Sequence, residues 1–326
     1  MSAPEARRPV VSVVVPCHNA VAYLHESLTS VLGQSAVDLE VVLVDDGSTD
    51  DPGAVVRALG DGRVRLHAIP ASGGPSRPRN LGLELARGDF VFFFDADDVM
   101  LPGKIAAQVA AFAAHPALAM TFTNFRVIDA AGALLNPDFL AGYDTFHAVL
   151  ARGLTPAGGL DRQALYHGLL CASFIGTSGV AVRRSVLERT GGFDTSLASS
   201  EDADLWLRIA REHDCGYVDI IGHSYRRHPA SIMHQVEARH PLARIEVIRR
   251  NLPLVTDRAT ARVMTRRLAE NHVALGYIWQ KRGDARRARD NYLKALRLAP
   301  SAGAFAGFVK CLVGGPLLRR GPGTGS

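Results

Sequence analysis

Four short apolar runs, Val10 to Val15, Leu39 to Val44, Val64 to Ile69 and Phe90 to Phe94, constrain this chain more than anything else in it. Each is rich in Val, Ile, Leu or Phe and has the length of a strand. Helical patterns lie between them at Tyr23 to Leu32, Pro52 to Leu59 and Pro75 to Ala86. Strands alternating with helices predict an α/β fold with a mostly parallel, doubly wound sheet. In such sheets the loops at the carboxyl ends of the strands face one crevice, where ligands bind. Here those loops read PCHN (Pro16 to Asn19), DDGSTDD (Asp45 to Asp51), SGGPSRPRNLG (Ser72 to Gly82) and DADD (Asp95 to Asp98).

The stretch from Phe90 to Asp98, FVFFFDADD, is the most informative of these. A continuous apolar run reads as a strand buried on both faces, and the abrupt change to acid marks its carboxyl end. Carboxylates at i and i+2 on a turn, as at Asp95 and Asp97, can converge on one hard cation such as Mg²⁺ or Mn²⁺, with phosphate oxygens completing the shell. The plainer alternative is that Asp97 or Asp98 caps a helix starting near Pro102. Both readings stand on these residues alone.

Motif absences narrow the field. No G-x-G-x-x-G follows the first strand, which argues against a dinucleotide-binding site, and no G-x-x-x-x-G-K-[ST] phosphate loop occurs. What remains is an acid after the second strand and a Gly/Arg/Asn turn before the third helix. Asp46 can accept hydrogen bonds from a base or ribose, while Arg79 and a helix amino terminus can meet a phosphate. Each loop taken singly is also a turn or cap: Asn19 and Ser48 are natural caps, and Gly73-Gly74 is a generic loop.

The 326 residues suffice for one large α/β domain plus an appendage, and 47% hydrophobic with 21% charged residues is an ordinary globular composition. No stretch of about eighteen apolar residues occurs to span a bilayer. Val10 to Val15 follows Arg7 and Arg8 but stops at Pro16 without a small-residue cleavage site, so it reads as a first strand and not a signal peptide. Cys17, Cys171, Cys215 and Cys311 are scattered singly, which suits a reducing cytosol. Charge is uneven: residues 1–239 hold 20 Lys and Arg against 27 Asp and Glu, whereas 240–326 hold 17 against 5, giving −7 and +12.

The series VSVVVPCHN, VVLVDDGSTD, GGPSRPRNLG, FFFDADD and, later, GGFDTSLASSEDADLWLR resembles glycosyltransferase family 2, over about residues 8 to 232. The resemblance implies the GT-A fold: a nucleotide-diphospho-sugar transferase domain over residues 8–235 with a doubly wound mixed sheet, followed by a C-terminal α-helical extension. It implies an inverting enzyme with a nucleoside-diphosphate sugar donor, a UDP-sugar in the first instance, and an acceptor hydroxyl that the sequence does not name. Glycoconjugate or polysaccharide assembly is the expected setting. Pro16, His18, Asn19 and Asp46 would hold the nucleoside. Gly74, Arg79 and Asn80 would shape the donor wall. Asp95 and Asp97 would be the Asp-x-Asp pair, with a divalent cation, Mn²⁺ or Mg²⁺, held by Asp97, Asp95 and His228. Pro78 departs from the family, which more often has Ala before Arg-Asn, and this leaves Arg77 a weaker donor contact than Arg79 and Asn80.

Glu201-Asp202 matches the family's catalytic motif, with Asp202 as base. On the residues alone, Ser199-x-x-Asp202 is close to a capping box, and acids in a first helical turn suit the helix dipole. A lone histidine such as His228 is more often a hydrogen-bonded structural residue than a ligand. Tyr225 to His228 ends an expected strand, and Pro229 to Ser231 begins a loop. From Thr121 to Leu170 the pattern is irregular, broken at Asn136-Pro137, Thr155-Pro156 and Gly158-Gly159, and Leu169 to Val182 reads as buried structure.

Residues 236–313 read as a helical extension. Leu275, Gly276, Ala288, Tyr292, Ala295 and Pro300 fall at tetratricopeptide spacing, with His272 where Trp is usual. A single such hairpin cannot bury its own face. Its basicity predicts attraction to anionic lipid or to the acidic catalytic domain, and a cytoplasmic chain with peripheral contact at the inner face of the membrane through these helices, Ala302 to Leu318 included, is expected; a solvated helix face is the plainer account. Gly314 to Ser326 is expected to be disordered. No nucleic-acid partner is expected. Two rivals remain: a non-catalytic nucleotide-sugar-binding or scaffold protein, and a sugar-phosphate nucleotidyltransferase, which would need a Gly-rich basic loop where PCHN stands.

Overall fold

The computed structural model describes residues 10–34, 38–153, 159–229 and 238–313. The expectations for Thr155-Pro156, Gly158, Ala230-Ser231 and Gly314 to Ser326 lie outside these residues. The chain divides into two compact units between residues 231 and 232.

In the first unit, β1 (Val11–Cys17), β2 (Leu39–Asp46), β3 (Val64–Ile69) and β4 (Phe90–Phe93) pair in parallel in the order β3-β2-β1-β4. The crossovers carry α1 (Val21–Leu32), α2 (Pro52–Leu59) and α3 (Ser76–Leu85). Elements fall within a few residues of the sequence expectation because the signals are local. Apolar strands buried on both faces need no alternation, and β1 and β2 are buried along nearly their whole lengths. Val13, Val15, Leu43, Phe92 and Phe94 pack with Leu24 and Leu28 of α1 in one core.

Past β4 the sheet becomes mixed. β5 (Val99–Met100), β6 (Met120–Ile128), β7 (Leu134–Asn136), β8 (Val180–Arg183) and β9 (Cys215–Arg226) complete, among the described residues, a nine-stranded sheet. Its order is β3-β2-β1-β4-β8-β6-β9-β5, with β7 beside β6. β8 runs antiparallel to β4 and β6, whereas β6 and β9 are parallel. One rim therefore collects the carboxyl ends of β1, β2, β4 and β9 together with the amino end of β8. The remaining helices of this unit are α4 (Lys104–Ala114), α5 (Asp144–Leu150), α6 (Arg162–Cys171), α7 (Arg184–Thr190) and α8 (Glu201–Glu212).

The capping alternative for the acids after β4 is overturned. α4 starts at Lys104 behind Gly103, which takes φ 83° and supplies no side-chain cap. Asp98 instead turns inward, and its Oδ1 accepts the backbone N–H of Arg226 at 3.0 Å.

Lys104 is fully buried, its ammonium lies 4.8 Å from the centre of the Phe92 ring, and Nζ has no hydrogen-bond partner. The ring face favours the cation, but burial opposes it more strongly and brings the pKa down to about 7. The sign follows from proton counting. Between about pH 7 and the ordinary lysine range the unfolded chain holds the extra proton, so stability rises with pH there and is flat below. Comparing Lys104→Met with the wild type in urea titrations isolates this slope, about 1.4 kcal/mol per pH unit at its steepest. Equal pH slopes in the two proteins would show that Lys104 folds in charged.

The second unit holds α9 (Arg239–Asn251), α10 (Arg258–Lys281), α11 (Ala285–Leu298) and α12 (Ala302–Val313). Leu275, Gly276, Ala288, Tyr292 and Ala295 are buried, and Pro300 lies between α11 and α12. Gly276 is where the Tyr292 ring comes so close that a Cβ would meet it at 2.8 Å. His272 is buried, with Nδ1 2.9 Å from Asn291 Oδ1.

Candidate active site

The rim is assembled by loops that brace one another. At the end of β1, Pro16 is half-buried beside Val44 of β2. His18 and Asn19 are exposed, and His18 Nδ1 lies 2.8 Å from the Asp46 carbonyl oxygen. Asn19 takes the left-handed conformation at φ 53°, which asparagine tolerates better than most residues. Its Oδ1 accepts the Thr49 N–H at 2.7 Å, and its own N–H donates to Ser48 Oγ at 3.0 Å. Asn19 thus ties two loops together, while Asp50 accepts the Val21 N–H at the start of α1.

Asp46 is buried, and its two oxygens accept the Ser72 N–H and Oγ–H, both at 2.8 Å. These bonds fix the turn that carries Gly73 and Gly74, and space around Gly74 is open. A carboxylate retains lone pairs after two such bonds, so Asp46 keeps capacity for a ligand.

The expectation that Arg79 meets a phosphate does not match its placement. Arg79 is 4% exposed and points into the protein. Its Nη2 donates to Asp95 Oδ1 and its Nη1 to Glu201 Oε1, each at 2.7 Å, and its guanidinium lies 5.3 Å from the Phe193 ring centre. Burial works against the charge, but the adjacent Asp95 and Glu201 carboxylates outweigh it and raise the pKa further. Asn80 is likewise engaged away from the donor side: its amide makes a two-way bond with the Phe193 backbone, 2.8 Å in each direction. Gly192 must lack a side chain there, because a Cβ would run into Asn80 Oδ1.

The acids after β4 divide into two kinds. Asp95 and Asp97 are part-exposed at 31% and 27% of their side chains, whereas Asp98 is buried. Burial, then the neighbouring Asp95 charge, raises the Asp97 pKa; Asp98 is raised well above the usual range by burial and then by Asp97 and Asp95. His228, from the end of β9, meets Asp97 Oδ2 through Nε2 at 2.9 Å and leans on Tyr23 at 4.9 Å between ring centres. Among the described residues no group of three or more His, Cys, Asp or Glu is assembled around a metal position. Asp95 meets Arg79 through Oδ1 and Asp97 meets His228 through Oδ2, and both carboxylates remain part-exposed. A two-carboxylate donor set of this kind fits a hard cation that draws its other ligands from phosphate and water.

Asp202, at the start of α8, accepts Thr177 Oγ1–H on Oδ2 at 3.0 Å and the Ala203 N–H on Oδ1 at 2.7 Å. The capping box expected from Ser199 does not form. The N-cap is Ser200, in the left-handed region at φ 58° with no side-chain cap, and Ser199 Oγ is buried without a partner. Glu201 is buried, and burial followed by the Asp202 charge raises its pKa against the pull of Arg79.

Four contributors escaped sequence reasoning. Thr177 holds Asp202, and Ser178 Oγ accepts the Asp95 N–H at 3.1 Å; their only signal was a small polar patch inside an apolar stretch. Arg226, 2% exposed, bonds the Asp97 carbonyl at 2.9 Å and Glu26 Oε2 at 2.6 Å, which pins the turn to α1.

The family model "Glycosyl transferase family 2" matches residues 12–145. A Mycobacterium tuberculosis protein, MT1568, is 31% identical over 227 residues, 69% of each chain. The chain belongs to glycosyltransferase family 2. An uncharacterized glycosyltransferase of Haemophilus influenzae is 37% identical to this family 2 chain over 126 residues, which span 38% of the chain and 50% of that relative. Among solved structures, Staphylococcus aureus TarS 1–349 in complex with UDP-GlcNAc superposes with a TM-score of 0.63 at 17% identity, over 92% of this chain and 88% of that one. The mannosyltransferase PcManGT of Pyrobaculum calidifontis, in complex with GDP-Man and Mn²⁺, gives 0.58 at 19%, over 96% and 90%. The fold of the family 2 chain is accordingly GT-A, a mixed α/β sheet with C-terminal helices.

Proposed function

We propose that the chain transfers a hexosyl group from a nucleoside-diphosphate sugar, a UDP-sugar in the first instance, to an acceptor hydroxyl with inversion, in glycoconjugate or polysaccharide assembly. The observation that carries this is the Arg79 guanidinium bonded to Asp95 on one side and Glu201 on the other, 2.7 Å each. It joins the acids after β4 to the start of α8, so Asp97 and Asp202 serve one rim although 105 positions separate them in the chain. The UDP-GlcNAc complex of TarS and the GDP-Man and Mn²⁺ complex of PcManGT support a nucleotide-sugar donor and a divalent cation.

In this reading Asp202 takes the proton of the acceptor hydroxyl as it attacks the anomeric carbon. Thr177 and the Ala203 N–H hold the carboxylate in one orientation for that task. Arg79 favours the charged form of Glu201 and fixes its side chain, and Asp46, His18, Pro16 and Asn19 form the nucleoside end of the rim. Asp95 and Asp97 would hold a divalent cation, with His228 turning from Asp97 to join or orient them. When bound, that ion neutralises charge growing on the departing diphosphate.

Thermal shifts test the donor half without an acceptor. UDP-GlcNAc or GDP-Man with Mn²⁺ should raise the melting temperature, by about 2.7 kcal/mol of added stability at one hundred times Kd. Chelator or Asp97→Ala should remove most of that shift. A chain that no nucleotide stabilises would be a scaffold and not a transferase.

A further inference from the structure

We infer that α10 to α12 form a docking surface for an anionic phospholipid bilayer, with a lipid phosphate received between Arg258, Arg262 and Arg266. The three arginines line a cleft of about 490 Å³ with Thr265, Leu298 and Ala299. They recur every four residues along one side of α10, all exposed, and among the described residues none has a carboxylate, hydrogen-bond or ring partner. Elsewhere in this unit Arg250 is paired with Glu246 and Arg287 with Asp284. Three unpaired guanidiniums beside apolar walls are a receptor for phosphate oxygens.

The second half of the surface is α12. One turn past Thr265, Ala269 packs on Ala295 and Ala304, so α12 starts beside the cleft floor. Ala304 faces inward, while Phe305, Val309 and Leu312 stand 62%, 36% and 56% exposed at i, i+4 and i+7. That spacing makes one apolar stripe, with Lys310 exposed next to it. An apolar stripe flanked by cations lies at the boundary between headgroups and acyl chains. The net +12 of residues 240–326 favours an anionic leaflet as the occupant: the same face of a second copy would set like charge against like, whereas an anionic leaflet complements it. Among the described residues no helix is long and apolar enough to cross a membrane, so the contact is with the surface. The inference does not depend on the transfer reaction.

Flotation of the full chain with vesicles of phosphatidylcholine, alone or mixed with phosphatidylglycerol, tests it. Binding should need phosphatidylglycerol and weaken in high salt. Arg258→Gln/Arg262→Gln/Arg266→Gln should lower it on the order of a hundredfold, at about one elementary lipid contact per arginine. Phe305→Asp/Leu312→Asp should abolish it, with wild-type melting temperatures in both variants because all five side chains are exposed. Equal binding to neutral vesicles, no binding, or binding kept by the arginine variant overturns the proposal. So does a dimer that Phe305→Asp/Leu312→Asp dissociates, or stabilisation by inorganic phosphate without vesicle binding, which would mark a free-phosphate site.

Discussion

Asp202→Asn should bind donor as tightly as the wild type and lose sugar transfer by roughly 10²- to 10⁴-fold, the range that a positioned general base contributes. The change is nearly isosteric, so Ala203 N–H and Thr177 can still address the side chain, at the loss of about one neutral hydrogen bond. What disappears is the capacity to accept the acceptor's proton. One side effect is predictable in sign. The Asp202 charge raises the Glu201 pKa, so its removal lets Glu201 ionise more readily and tightens the pair with Arg79. Fold stability should therefore hold while turnover falls. Rates with saturating donor and acceptor, beside donor binding by calorimetry, decide the matter; transfer undiminished in Asp202→Asn would remove Asp202 from the chemistry.

Arg79→Met should destabilise the first unit by about 3–5 kcal/mol, the usual consequence of leaving buried charges without their partner. Two carboxylates lose one counter-ion, and Glu201 is already pushed upward by burial. In the variant Glu201, already raised by burial, takes up a proton more readily in the folded state than in the unfolded one. Its contribution is then present at low pH and lost as pH rises through the raised folded value. The deficit should be smaller near pH 5 than near pH 8. Arg79→Lys should rescue little, since an ammonium cannot span two carboxylates as a planar fork does. Urea unfolding at both pH values gives the answer, and a deficit under about 1 kcal/mol at pH 8 would mean that the bridge is dispensable.

The first ninety-eight residues were largely legible because their signals are local. Val10 to Val15, Leu39 to Val44 and Phe90 to Phe94 are apolar on both faces, Asp51 and Pro52 announce α2, and the acids of DADD end their strand abruptly. Roles that depend on distant partners could not be read in this way. Arg79 looked like a phosphate ligand because arginine near a helix start commonly is one, yet its partner Glu201 stands 122 positions away. Asn80 looked like part of a donor wall and is spent on a backbone 113 positions away. Ser199 had the spacing of a cap, but the chain enters α8 through a left-handed Ser200 that directs it elsewhere. Between Thr121 and Leu170 the alternation was masked because β6 carries buried Thr121, Thr123 and Asn124 among its apolar residues.

The reversed direction of β8 bears on how such a chain can diversify. Most residues proposed for the nucleotide side, Pro16 through Asp97, lie in one uninterrupted first third, and their braces Ser178, Glu201, Arg226 and His228 come from later sequence. Whatever approaches Asp202 arrives from later sequence, delivered to the same rim only because one strand enters the sheet backwards. A genetic crossover near Met120 would thus have to import matching partners for Asp95, Arg79 and Asp97 together with any new loops around Asp202.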